Sequence, residues 1–484
     1  MHPLVVFGQS HVALRLGELT RQLGIPAAVA PLGAPTPAMV QAWGDRLLLE
    51  LRPGGPQGLA LLPQPRAAIF ADAQDAVNLA TALEVRDAHP GLHLVLSFFD
   101  PRLGRKIQQE LGNCTVLSSA ELSAPWFAAA ALQKGVLQTV THEGKAYAFL
   151  REEALGSAGS PGGARFVPLA ELFDRLLDGD VNAVGESFSR LPRRVDSYLL
   201  GVLALIAATL AGATAYFHFS QGLPWISALY FVVTTFCTVG YGDFSLREAS
   251  DVAKVAGIAL MLSSVTLTAA LFAILTNALV GMRTDAQEGR RKYWLRDHVL
   301  VCGLGSLGLR VAECLKSLGA TLLVIDQQRD NPMLEELAAE KIPYMVADAT
   351  RVSALKAARV ARARALICTL NDDLVGLEIG LAARASRPGL RLVLRVFDGA
   401  FADRIERHFH IHTALSASSI AAPFFLARAL DPSAQVLMET ADGWQMIAER
   451  DREAPPWTDE LVLHSGETLL ISIPFDGLPG TKRP

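Results

Sequence analysis

Two runs without a single charged residue constrain this chain most. Tyr198 to Phe217 is about twenty residues long, enough to cross a bilayer core as a helix. Val255 to Gly281 is slightly longer, so it can span with some tilt. Arg190, Arg193 and Arg194 precede the first run; Arg283, Arg290, Arg291 and Lys292 follow the second. Lysine and arginine collect on the cytoplasmic side of membrane segments, so both flanks, and both termini with them, are expected there. Residues 221–254 then face outward. Composition agrees: 51% of the 484 residues are hydrophobic and 19% are charged, against roughly 25% charged in soluble proteins. The net charge of −4 leaves no basic face large enough to hold nucleic acid. Leu4 to Gly8 reads as a buried strand running into a turn, with no basic region before it, so the N-terminal part is expected to fold in the cytoplasm. Cys114, Cys237, Cys302, Cys314 and Cys368 form no CxxC pair, which argues against a disulfide framework or a zinc site.

The stretch from Leu223 to Val239 is apolar enough to be taken for a third span, but a third span would put the basic flanks on opposite sides. Pro224 suits the first turn of a helix, and a glycine-rich run ends the stretch. A short helix that dips into the membrane and returns as extended backbone fits better. Non-helical backbone at that depth is tolerated only where it lines a water-filled path.

The returning backbone reads Thr238-Val239-Gly240-Tyr241-Gly242-Asp243 and resembles the potassium-channel signature, within a TTFCTVGYGD context. The resemblance implies a homotetramer around one pore. The carbonyls of Thr238, Val239, Gly240 and Tyr241, with the Thr238 hydroxyl, would replace the hydration shell of K+. Asp243 either supports the outer mouth, as the family's aspartate does, or is a solvated acid. Cys237 packs behind the filter or faces the cavity. The second span departs from the family: where a glycine hinge is common it has Leu262-Ser263-Ser264-Val265-Thr266, and Gly257 comes too early. That cluster either loosens the helix by bonding back to the preceding turn or lines a wet cavity. The gate therefore has three candidate places: the cluster, the filter and the Thr276–Asn277 region.

The rest of the chain contains an internal repeat. Pro90-Gly91-Leu92 recurs as Pro388-Gly389-Leu390, a displacement of 388 − 90 = 298, and Leu94-Val95-Leu96 and Phe99-Asp100 recur at the same displacement. Nearer the start the displacement is 303 − 8 = 295, which aligns Gly8 with Gly303 and Arg15 with Arg310. Within the second copy, short apolar runs at 298–302, 321–326, 365–368 and 392–394 alternate with helical stretches, which predicts a parallel sheet with helices on both faces. After each unit an alternating tail, near Val136–Leu150 and Val436–Glu449, reads as a small strand-rich subdomain.

Gly303-Leu304-Gly305-Ser306-Leu307-Gly308 follows a strand and opens a helix, and Asp326 ends the next strand. In that setting GxGxxG is a dinucleotide fingerprint: the glycines admit a pyrophosphate to the helix N-terminus, and the acid accepts from ribose hydroxyls. The alternative is close helix–strand packing without a ligand. Beside a potassium-channel signature the repeat resembles the RCK (regulator of potassium conductance, TrkA-N-like) domain. The resemblance covers both copies and extends to Ala347-Asp348-Ala349-Thr350, similar to a turn the family places near the adenosine. The first copy has Ser10 and Pro31 where Gly305 and Asp326 align, and Leu51-Arg52-Pro53-Gly54-Gly55 near the place of Asp348. It is expected to be structural or to bind something else.

The expected architecture is two α/β Rossmann-like RCK domains flanking an all-α two-span potassium-channel pore module. Its parts are an N-terminal domain at 1–183, a linker at 184–197, the pore at 198–281, a gating linker at 282–297 and a C-terminal domain at 298–484. The expected function is a ligand-gated, potassium-selective channel of a prokaryotic plasma (inner) membrane. K+ is the transported ion, and an adenine nucleotide or NAD(H) binds the C-terminal domain at residues 303–308, Asp326, Asp348, Ala349 and Thr350. A divalent cation is a further candidate ligand. An enzyme reading, a membrane-anchored dehydrogenase, lacks a substrate domain and an acid/base pair and leaves TVGYGD unexplained. His408, His410 and His412 alternate, but no carboxylate or cysteine completes a metal site; they read as a solvated loop running into a strand.

Overall fold

A computed structural model describes residues 3–46, 65–151, 164–177, 197–287, 295–451 and 462–474, apart from 33, 134, 143, 398, 410, 441–442 and 466–467. They fall into two compact units: 183–291, and the stretches on either side of it together. Before the spans come β1 (Leu4–Phe7), α1 (His11–Gln22), β2 (Ala27–Ala30), α2 (Pro37–Trp43), β3 (Ala67–Phe70) and α3 (Asp75–Ala88). Then follow β4 (His93–Ser97), α4 (Pro101–Leu111), β5 (Cys114–Leu117), α5 (Ser119–Leu132), β6 (Val136–His142), β7 (Lys145–Arg151), β8 (Ala164–Pro168) and α6 (Leu169–Leu177). The membrane unit holds α7 (Ser197–Gln221), α8 (Trp225–Phe236) and α9 (Asp251–Gln287). After it come β9 (Val299–Cys302), α10 (Ser306–Ser317), β10 (Leu322–Asp326), α11 (Met333–Ala339), β11 (Tyr344–Val346) and α12 (Val352–Ala357). The second sheet continues with β12 (Ala365–Cys368), α13 (Asp373–Ser386), β13 (Arg391–Arg395), α14 (Gly399–Phe409), β14 (Thr413–Leu415) and α15 (Ala417–Leu430). The last strands are β15 (Ala434–Thr440), β16 (Gly443–Asp451), β17 (Val462–Ser465) and β18 (Thr468–Pro474).

Leu-Val-Val-Phe of β1 and Val-Leu-Val-Cys of β9 are buried at every position, as parallel strands covered by helices on both faces must be. The first sheet has the order β2-β1-β3-β4-β5 and the second β11-β10-β9-β12-β13-β14, both parallel. The order reverses between β1 and β3, and between β9 and β12, which is where such sheets open a crevice. The counterpart of β11 in the first sheet would fall within 47–64, outside the described residues, as do Leu51–Gly55.

The repeat extends to single hydrogen bonds. Gln108 Oε1 accepts from Val116 N at 2.8 Å, and 298 residues on Glu406 Oε1 accepts from Ala414 N at 2.6 Å. Ser118 caps α5 and Ser416 caps α15, each accepting from the N–H three residues ahead, and Pro125 and Pro423 occupy matching places inside these helices. A register shift between Val136 and Gln138 in β6 recurs between Ala434 and Val436 in β15.

The two halves exchange their last helices. α5 packs against α10, so Phe127 joins a core with Val299, Leu307 and Leu315. α15 packs against α1, so Phe425 joins a core with Leu4, Leu16 and Trp43. Both phenylalanines are fully buried, and truncating either to alanine would cost about 3–5 kcal/mol. Ser123 Oγ donates to Ala417 O at 3.0 Å where the two helices meet. The segments 124–132 and 422–430 thus join the halves, and neither half closes its core alone.

In the membrane unit, residues 199–221 and 251–276 are long and apolar enough to cross a bilayer. Phe217, Phe231, Val232, Phe236 and Leu260 form its small core, with the Phe217 and Phe231 rings edge to face at 5.0 Å. Only 6% and 11% of the two apolar windows are buried within one chain, which leaves their faces for lipid or further chains. The basic flanks at 190–194 and 290–292 lie outside the described residues.

The histidine trio needs a correction. His408 lies in the last turn of α14, not in a loop, because an amphipathic stretch carries the helix to Phe409. His412 Nδ1 accepts from Leu392 N at 3.2 Å, and His410 is outside the described residues. No group of three metal-ligating side chains occurs among the described residues.

Candidate functional site

α8 starts directly after Pro224, which takes the cap position one residue ahead of the first turn. Its last carbonyls are engaged by the chain that follows: Thr234 O accepts from Val239 N at 2.9 Å and from Gly240 N at 3.2 Å, and Thr235 O from Thr238 N at 3.1 Å. Thr238, Gly240 and Gly242 have φ of 59°, 52° and 78°, whereas Val239 and Tyr241 between them do not have positive φ. The returning backbone is therefore not extended, a correction to the sequence expectation. Alternating backbone handedness cancels the turn at each step, so successive peptide planes keep one orientation, with N–H groups on one side and carbonyls on the other. Glycine reaches φ > 0 without steric cost at 240 and 242. A β-branched residue there is an outlier, and left-handed Thr238 stores on the order of 1–3 kcal/mol, typical of functional positions.

Asp243 Oδ1 accepts from Phe244 N at 3.2 Å, and its carboxylate lies near the Tyr230 hydroxyl. The acid therefore stands beside α8, just after Gly242. Sequence reasoning missed Tyr230, because its spacing does not distinguish it from the apolar residues around it. Cys237 is exposed and stays within the last turn of α8, its N–H donating to Val233 O at 2.8 Å. α9 runs unbroken through Ser263–Thr266. Ser263 Oγ donates to Leu260 O at 2.9 Å, Ser264 Oγ to Met261 O at 2.8 Å and Thr266 Oγ1 to Leu262 O at 2.5 Å. Back-bonding to the preceding turn is thus what these hydroxyls do.

In the second sheet, the crevice between β9 and β12 holds the glycine turn. Gly303 has φ of 100°. A Cβ at Gly308 would lie 2.1 Å from Gly303 O, so this glycine serves helix–strand packing. A Cβ at Gly305 would meet no protein atom within 4 Å. Space is therefore left open beside Gly305, at the N-terminus of α10. Asp326, at the end of β10, accepts from Leu304 N through Oδ2 at 2.7 Å and from Gln328 N through Oδ1 at 2.8 Å. Asn331 Nδ2 donates to Leu304 O and Thr369 Oγ1 to Gly303 O, both at 2.7 Å. These two braces were not legible in the sequence, since neither belongs to the fingerprint. After β11, which lies beside β10, Asp348 accepts from the Thr350 hydroxyl at 2.6 Å and from Thr350 N at 3.0 Å. Those bonds, with Arg351 Nε at 3.2 Å, hold the Asp348 carboxyl below its usual pKa. Gly303–Gly308, Asp326 and the 348–350 turn thus share the carboxyl end of neighbouring strands.

In the first copy the corresponding turn is occupied by protein contacts. Ser10, in the place of Gly305, donates to Ala71 O and caps α1. His11 stacks on Phe397 of the second copy at 4.5 Å, and Arg15 Nη2 donates to Phe397 O at 3.1 Å. Pro31 is buried and offers no side-chain acceptor. Cys302 and Cys368 face each other across β9 and β12, both buried and free, and burial pushes both thiols upward in pKa.

Residues 204–281 match the ion channel family and residues 299–417 the TrkA-N domain family. The chain joins an ion-channel segment to a TrkA-N domain. Among curated relatives it is similar to "Probable potassium channel protein 2" of Methanocaldococcus jannaschii, 28% identical over 40% of this chain and 59% of that protein. It is also similar to "Voltage-gated potassium channel Kch" of Escherichia coli, 24% identical over 45% of this chain and 56% of that protein. The chain thus spans just under three fifths of the length of these two relatives. Among solved structures, "Crystal Structure of the GsuK RCK domain" is similar at a TM-score of 0.49 and 15% identity, covering 99% of this chain and 90% of that one. "GsuK channel bound to NAD" gives 0.39 and 17%, covering 57% and 56%. These relatives are channels and not enzymes.

Proposed function

We propose that this chain is one subunit of a homotetrameric, potassium-selective channel in a plasma (inner) membrane, prokaryotic in origin, with both termini in the cytoplasm. One observation carries the reading: backbone of alternating handedness across Thr238–Gly242, between two membrane-length helices. Four such strands around an axis supply rings of inward carbonyls that match a dehydrated K+ ion. Asp243, beside Tyr230, braces the outer end of each strand against its helix.

The C-terminal domain is the ligand sensor, and the N-terminal copy is a second, degenerate RCK-like domain. The open space at Gly305, the fixed Asp326 carboxylate and the Asp348–Thr350 turn suit an adenine nucleotide or NAD(H): phosphates at the α10 N-terminus, ribose on Asp326, base near Asp348. A ligand shifts gating only by preferring one state of the cytoplasmic assembly. A divalent cation is the second candidate ligand, and no group of three metal-ligating side chains occurs among the described residues to hold it.

Flux into proteoliposomes tests the reading. Potassium should be carried at least about tenfold better than sodium and be blocked by barium. Equal permeability to both ions would overturn it.

A further inference from the structure

The seam between the two halves contains a cavity of about 80 Å³ that neither the pore nor the nucleotide site uses. Thr139 and Thr141 of β6, Arg428 of α15 and Gln435 of β15 give it a polar side. Leu117, Leu122, Pro125 and Phe424 give it an apolar one. Thr139 is 1% exposed, and its hydroxyl has no hydrogen-bond partner among the described residues. Arg428 Nη1 donates to Pro432 O, which anchors the guanidinium at the cavity wall. Thr141 is exposed, so the cavity opens to solvent beside it.

The internal repeat supplies a built-in control. At a displacement of 298, Thr139 corresponds to Leu437, Thr141 to Glu439, Gln435 to Leu137 and Arg428 to Ala130. The shared register shift in β6 and β15 makes this correspondence structural as well as sequential. The apolar wall is kept in kind, as Leu415, Ile420, Pro423 and Trp126. A cation, two hydroxyls and an amide have therefore appeared on one side of the pseudo-symmetric seam only. On the other side an acid and apolar groups stand in their places.

We propose that this cavity binds a small carboxylate, with the oxyanion held by Arg428, Thr139 and Gln435 and the carbon end against Leu122 and Phe424. Guanidinium and hydroxyl donors suit a planar oxyanion, and the apolar wall suits one or two carbons. At roughly 30 Å³ per water, the volume holds the equivalent of two to three waters, which fits acetate. The ligand would touch α5 and β6 of one half and α15 and β15 of the other, so its occupancy would stiffen the seam between them.

The test is calorimetry and thermal denaturation of the full-length chain in detergent, titrated with sodium acetate against sodium chloride at equal ionic strength. We expect one saturable acetate site per chain and a higher denaturation temperature than in chloride. Thr139→Val, which keeps shape and removes the hydroxyl, should weaken acetate by a factor of about three to ten. Arg428→Met should abolish saturable binding. No saturation with acetate, or unchanged affinity in folded Thr139→Val, would overturn the proposal. Bicarbonate in parallel separates a requirement for the carbon end from recognition of the oxyanion alone: bicarbonate binding as tightly as acetate would overturn the apolar half of the site.

Discussion

The Asp326 carboxylate accepts a hydrogen bond from Leu304 N at 2.7 Å, so the acid that would meet a ribose is already locked to the glycine turn that would meet the phosphates. Hydrogen bonds to charged groups contribute about 1.5–3 kcal/mol. Asp326→Ala should lower adenine-nucleotide affinity about ten- to a hundred-fold, with one site per subunit. Substituting Pro31 should leave affinity unchanged. Calorimetry on both variants checks this, and two sites per subunit would contradict it.

Two glycines of one motif should fail differently. Gly308→Ala forces a methyl to within 2.1 Å of Gly303 O and should destabilise the fold by about 1–3 kcal/mol, visible as a lower denaturation midpoint. Gly305→Ala meets no protein atom and should fold normally while losing nucleotide affinity. If Gly305→Ala binds nucleotide as the wild type does, the open space has another purpose.

At the filter, Gly240 has φ of 52°, and a Cβ there meets nothing within 4 Å of its own chain. Gly240→Ala should therefore abolish potassium current through backbone strain while the tetramer still assembles. Cross-linking together with single-channel recording separates the two outcomes.

Ser263 and Ser264 both bond to carbonyls three residues back. Removing both hydroxyls returns those carbonyls to ordinary helical bonding. The double variant Ser263→Ala, Ser264→Ala should change open probability and leave the potassium-to-sodium ratio unaltered. Unaltered gating would move the gate to the filter or to the Thr276–Asn277 region.

His11 should make the unit that holds the two α/β copies acid-sensitive. Burial, then Arg15 and Arg395, lower its pKa below 6.5, with Asp373 opposing. His93 and His298 are lowered too, mainly by burial. A histidine with a depressed folded-state pKa stays neutral while the unfolded chain takes up a proton. Stability is then complete above pH about 6.5 and falls as pH drops below it. Denaturation midpoints between pH 8 and pH 5 should follow this course, and His11→Gln should flatten part of the slope. A midpoint that rises on acidification would contradict it.

Much of this was written in local sequence. Uncharged runs at 198–217 and 255–281 mark the spans because a bilayer tolerates little else. TVGYGD and Gly303–Gly308 are legible because backbone conformations open to glycine leave glycines at fixed spacing. The duplication is visible at 298 because helix caps and strand cores demand the same residue types twice. Tertiary structure alone decided what those patterns do together. It turned the filter backbone from extended to alternating-handed, since the end of α8 captures two N–H groups with one carbonyl. It brought Tyr230 to Asp243, Asn331 and Thr369 to the glycine turn, and His11 to Phe397 from the other half of the chain. It also exchanged α5 and α15, which are equally apolar and could each have covered its own sheet. Burial period tells that a helix needs a partner; only three-dimensional packing selects which partner it takes.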